Sequence, residues 1–216
     1  MKTYGILPDE WIVSYASGAL SEAHALVVAS HCHFHPDLQN KVADAEEIGG
    51  SLVENSEPST ISNHLFEDLM NKIDDLPMEK KHLPSNDNNL PTPLVDYLDN
   101  KSLDQLKWRM MGPGLSQVRL WTGPNDERLW LLKAKGGAKV PAHDHNGLEM
   151  TLVLQGSYHV GNECYSSGML EIADDDTLNH MPIIDQGEDC ICLVVTEAPI
   201  KIHSFIGRLV QPFIGL

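Results

Sequence analysis

Basic residues are scarce in this chain of 216: 15 Lys and Arg stand against 31 Asp and Glu, a formal net charge of −16. Such an excess repels nucleic acid and anionic membrane, so it excludes direct binding to either and favours a basic partner or none. Cysteine is also sparse. Four residues (Cys32, Cys164, Cys190 and Cys192) do not make a disulfide framework at this length and fit thiols in a reducing compartment. No run approaches the roughly 18 to 20 apolar residues that span a bilayer. The opening MKTYGILPDEW reaches acidic residues too early for a secretory signal, so a cytoplasmic location is expected. Nor does the chain contain a nucleophile elbow, a P-loop or a dinucleotide fingerprint, so it nominates no catalytic residue.

What is present suffices for a real core, with 42% hydrophobic and 21% charged residues. The charge is uneven. Residues 1–76 hold 13 acidic and 3 basic residues, a net of −10, and the remaining 140 carry −6. This first part reads as a small helical bundle. Asp9 is placed to cap a helix running to about Gly18, and Ser21 to cap SEAHALVVASHCHFH. Pro36 suits the first position of a third helix that Gly49–Gly50 would end or interrupt. A fourth, from about Thr60 to Asp74, sets Ile61, Leu65, Leu69 and Ile73 on one face. The segment 77–92, which overlaps the run MEKKHLPSNDNNLPTP (78–93), is polar and proline-broken and reads as a linker.

From residue 93 to 216 the period changes. WRMM, SQVRLW, RLWLLKAK, LEMTLVLQGSYHV, GMLEIA, CICLVV and KIHSFIGRLV are strand-like runs between Gly, Pro and Asp clusters, which indicates an antiparallel barrel or sandwich. The fold class expected is therefore α+β in two domains, a helical bundle followed by an antiparallel β-barrel.

Within the β region stands GAKVPAHDHNGLEMTLVLQG. His143, His145 and Glu149 share parity, so on a strand they point the same way, and two imidazoles with a carboxylate suit Zn, Fe, Mn or Ni. His180, in TLNHMPII, is placed to supply a fourth ligand from a neighbouring strand. The bland alternative is a set of satisfied polar residues on an exposed strand. With Gly137 and Gly156 at its ends, the string resembles the first signature motif of the cupin superfamily, position for position. His180 keeps its place in the second motif, although Asp175 and Thr177 stand where the common pattern has Pro and Gly. A divalent metal, zinc first, is the expected cofactor of a jelly-roll barrel. Four protein ligands make a closed, structural or sensory site, whereas a metal-dependent, dioxygenase-like cupin enzyme would need an open position.

The run YASGALSEAHALVVASHCHFHPDLQNKV, followed by EEIGG, resembles the helical domain of ChrR-type anti-sigma factors, whose C-terminal half is cupin-like. The resemblance covers nearly the whole chain. It implies a protein that holds an extracytoplasmic-function sigma factor inactive and releases it under singlet oxygen or related oxidants. The acidic helical part agrees with a basic partner of that kind. The enzyme reading leaves the helices to homodimerisation. The family's helical domain also carries zinc on a pattern of one histidine and two cysteines, with an earlier histidine. Here the corresponding positions read His31, His35 and Leu38, with Ile6 at the early position, so His31 and His35 are the candidate ligands of a variant site. His24 lies on the same helical face, and apolar packing without zinc is the competing reading. Cys190 and Cys192 share a strand face, as a redox-sensing pair or as buried thiols of an apolar strand.

Overall fold

A computed structural model describes residues 7–74, 90–124 and 126–203. Four helices come first: α1 (Asp9–Ala16), α2 (Glu22–Phe34), α3 (Pro36–Glu54) and α4 (Leu65–Asp74). Helix α5 (Thr92–Tyr97) follows, then a 3-10 turn at Leu103–Gln105. The strands are β1 (Arg109–Gly112), β2 (Leu115–Thr122), β3 (Arg128–Ala134), β4 (His143–Asp144), β5 (Glu149–Gln155) and β6 (Ser157–Val160). They continue with β7 (Glu163–Ser166), β8 (Leu170–Ala173), β9 (Ile183–Ile184), β10 (Cys190–Thr196) and β11 (Lys201–Ile202). Helices followed by an antiparallel β domain is the architecture expected. Most of the linker 77–92, and the strand-like run beyond His203, lie outside the described residues.

The helix boundaries differ from the sequence expectation in ways that local chemistry explains. Pro8, not Asp9, is the cap of α1, and Asp9 opens the helix beside the positive end of its dipole. Ser21 caps α2 as expected, its Oγ accepting from the His24 backbone N–H. Helix α3 runs through Gly49–Gly50 to Glu54, since two helical glycines cost only about 1 kcal/mol each relative to alanine. Helix α4 begins five residues later than Thr60, because the Ser62 hydroxyl takes the His64 backbone N–H for a local turn. Helix α5 starts at the end of the expected linker, among its prolines. Pro93 sits in the first helical turn, where no backbone donor is needed, and Leu94 and Leu98 are buried.

Every strand pairing is antiparallel among the described residues. The main sheet runs β1-β2-β3-β10-β5-β8, and a three-stranded sheet β7-β6-β9 and a pair β11-β4 complete the domain. Alternation sorts the central strands onto two buried faces. Leu129, Leu131, Met150, Leu152, Leu154, Ile191, Leu193 and Val195 point outward into one cluster with Ala23, Val27, Val28 and Leu94 of the helices. Trp130, Ala134, Val153, Cys190, Cys192 and Val194 point inward and meet Tyr158, Tyr165 and Ile184 of the small sheet. Helix α2 therefore lies on β5 and β10, and one apolar core joins the helices to the sheet. Both faces of β5 and β10 are buried, which is why LEMTLVL and CICLVV read as unbroken apolar runs rather than alternating ones.

Candidate metal centre

Four side chains converge on the inward face of the sheet: His143, His145, Glu149 and His180, all buried, with one donor atom of each lying within 4.8 Å of the others. They do not share one strand. His143 belongs to β4, His145 follows it, and Glu149 opens β5 in a different sheet. A turn at Asn146–Gly147, not strand parity, folds the motif back on itself. His180 is fixed opposite by a two-way backbone bridge: its N–H donates to the His143 carbonyl at 2.9 Å, and the His143 N–H donates to the His180 carbonyl at 3.1 Å. Gly156, at the end of the motif, turns β5 into β6 with φ +73°, and a Cβ there would meet the Asp189 carbonyl at 2.6 Å.

The far nitrogens of these rings determine what the near ones can do. His143 Nδ1 donates to the Pro141 carbonyl at 2.9 Å, which leaves the Nε2 lone pair free. His180 Nε2 donates to Glu171 Oε1 at 3.0 Å, which leaves Nδ1 free. That Nδ1 lies 3.2 Å from His143 Nε2 and 3.1 Å from His145 Nε2. Lone pairs aimed at one another at this range repel unless a proton or a cation sits between them. Nitrogens held by one ion at about 2.0–2.1 Å, with angles of about 90–110°, are roughly 2.8–3.4 Å apart, so the spacing fits a shared metal. Glu149 completes the set: Thr151 Oγ1 donates to its Oε1 at 3.3 Å, and its Oε2 lies 3.9 Å from His145 Nδ1.

Burial shapes the charges. It pulls His143 and His145 down to about 4, so both imidazoles are neutral donors near pH 7. Burial also pushes the Glu149 carboxyl up to about 7, against the opposing pull of His180. Burial would lower His180 too, but the hydrogen bond and charge of Glu171 reverse the shift.

Glu171 and Tyr158 stand outside the set that the sequence nominates. Glu171 is buried on β8, and its second oxygen accepts from the Tyr158 hydroxyl at 2.5 Å. A carboxylate inside the apolar GMLEIA run is the signal that could have found it. An outer carboxylate that orients a ligating imidazole is a recurrent feature of metal sites. A cavity of about 560 Å³ adjoins this wall, and Cys190 and Cys192 line it with their sulfurs 3.6 Å apart.

The other candidate pair is arranged differently. The His31 and His35 rings are 4.5 Å apart, but His35 Nε2 donates to the Gly168 carbonyl at 2.7 Å. That bond ties the end of α2 to the turn before β8, and Phe34 packs where a Gly168 Cβ would stand. His31 is fully buried with neither ring nitrogen partnered, and burial, then the neighbouring His35, lowers it to about 4. Leu38 occupies the next position of the pattern as a buried core residue, and His24 pairs with Glu127 at 3.0 Å. Among the described residues, no group of three or more metal-ligating side chains forms around His31 and His35. Two imidazoles, one already bonded to a carbonyl, do not fit a four-coordinate structural zinc.

The antiparallel domain, with its wall of three histidines and a glutamate, defines a cupin-like protein, here with helices packed on its outer face. Residues 100–199 match the ChrR cupin-like domain family. The chain is 38% identical over 205 residues to the anti-sigma-E factor ChrR of Cereibacter sphaeroides, covering 95% of each. It also matches a solved structure of Rhodobacter sphaeroides SigE in complex with the anti-sigma ChrR, at 36% identity and a TM-score of 0.76. That match covers 89% of this chain and 98% of the matched one. The chain belongs to the ChrR family of anti-sigma factors.

Proposed function

We propose that this protein sequesters an extracytoplasmic-function sigma factor through its helical segment, residues 1–76, and that residues 93–216 form a metal-loaded domain receiving an oxidative signal. The observation that carries the first part is α4. None of its ten residues is buried, yet Leu65, Phe66, Leu69, Met70 and Ile73 form an apolar stripe. Ile48, Leu52 and Val53 on α3 are also exposed. Apolar surface on this scale marks a protein partner, and the net −10 of residues 1–76 suits a basic one. For the second part, three imidazoles and one carboxylate suit zinc, and four protein ligands suit a receiving site better than a catalytic one.

Because α2 shares its core with the sheet, the test uses the full chain. The protein is expected to bind the sigma factor encoded beside its gene and to inhibit transcription by it in vitro. Replacing Phe66 and Leu69 together by Asp is expected to weaken binding about 100-fold, the size of a lost hot spot, without changing Tm. Failure of the wild-type chain to bind that sigma factor would sink the proposal.

A further inference from the structure

The cavity beside the donor set has one polar wall and is otherwise apolar. Its volume of about 560 Å³ lies within the range of small-molecule sites. Trp130, Leu132, Val140, Ile184, Val194 and Met111 supply the apolar lining. The polar wall is His143, Glu149, Thr151, Tyr158, Glu171 and His180. The donors on that wall are already committed. Tyr158 and His180 donate to Glu171, Thr151 donates to Glu149, and His143 Nδ1 donates to Pro141. A ligand carboxylate would meet two protein carboxylates and find no N–H or O–H to accept. The lining's cation, Lys139, is exposed. With a divalent ion in the donor set, Glu149 and Glu171 already balance its charge, so an added anion would be buried unpaired. A hydrocarbon would strip the polar wall of water and return nothing.

We propose that this cavity binds an uncharged apolar molecule carrying one hydroxyl, an aliphatic alcohol in its simplest form, with the hydroxyl toward the wall of Glu149, Glu171 and His180. This deepens the reading of the cupin half as the receiving domain and rests on it; it does not depend on sigma binding. An uncharged hydroxyl donates its proton to a carboxylate of the wall, Glu149 or Glu171, without adding charge and without asking for a donor the wall has already committed. The alkyl body fills the space between Trp130 and Ile184.

Metal-loaded full-length protein is titrated with 1-octanol, octanoate and octane, by calorimetry and by the fluorescence of Trp130. The Trp130 signal is isolated by difference from Trp130→Phe. Octanol is expected to bind saturably and at least tenfold more tightly than either of the others. Val140→Trp, which fills the lining from a half-buried position, is expected to weaken octanol at least tenfold while the circular dichroism is unchanged. Equal or tighter binding of octanoate or octane overturns the proposal, as does saturable binding by none of the three. An octanol affinity unaltered in Val140→Trp also overturns it. Sigma binding is measured in parallel. A chain that binds the sigma factor but not octanol defeats this inference and spares the proposed function. A chain that binds octanol but not the sigma factor does the reverse.

Discussion

Two clusters of histidines sit in one protein, and they differ in what holds the outer edge of each ring. In the cupin half, the far nitrogens of His143 and His180 are tied to the Pro141 carbonyl and the Glu171 carboxylate, so their near nitrogens point together as bare lone pairs. In the helical half, His35 uses its Nε2 to hold the Gly168 carbonyl, and His31 is buried with neither ring nitrogen hydrogen-bonded. The first set is prepared for a cation. The second is prepared for packing and for fastening α2 to β8. A histidine becomes a ligand through its second neighbour as much as through its own position.

The comparison breaks most sharply if a ligand is removed. His145→Ala takes one of four donors from the cupin set and is expected to lower metal affinity at least about 100-fold, read by competition with a chelator dye. The matching change in the helical half, His35→Ala, is expected to leave that affinity unchanged. A smaller loss, about 10- to 100-fold, is expected from Glu171→Gln, because the amide no longer fixes the His180 tautomer.

The helical half should reveal itself through pH instead. His31 titrates near 4 in the folded state and near 6.5 unfolded. Between those values the unfolded chain binds the extra proton, so stability falls as pH drops through that window and is fully present above it. The effect is on the order of 2–3 kcal/mol, and His31→Leu is expected to flatten that acid slope in urea melts recorded from pH 7 to 4. The smallest effect belongs to the clasp. His35→Ala is expected to cost about 1 kcal/mol, one hydrogen bond, seen as a lower urea midpoint at unchanged m-value.

Much of the donor set was legible because ligand identity is local: His143, His145 and Glu149 stand within seven residues. How they meet was not, since a turn rather than strand parity brings β4 and β5 together. Glu171 and Tyr158 could not be assigned roles from the sequence. Their importance depends on β8 pairing with β5 and on β6 lying across the cavity, contacts that no short window contains. The class of fold was readable from the change of period, but the burial of both faces of β5 and β10 was not, because their cover arrives from helices over 100 residues earlier. Helix α4 showed its apolar stripe in the sequence. Only the structure shows that nothing within the described residues covers it.

On this account one half of the protein holds a metal and the other does not need one. The most direct test is the metal content of the full-length protein after loading with zinc and gel filtration, for wild type, His145→Ala and the double change His31→Leu with His35→Ala. The account predicts one equivalent per chain in the wild type, none in His145→Ala, and one in the double variant. Two equivalents in the wild type, or loss of metal from the double variant with the His145 site intact, would contradict it.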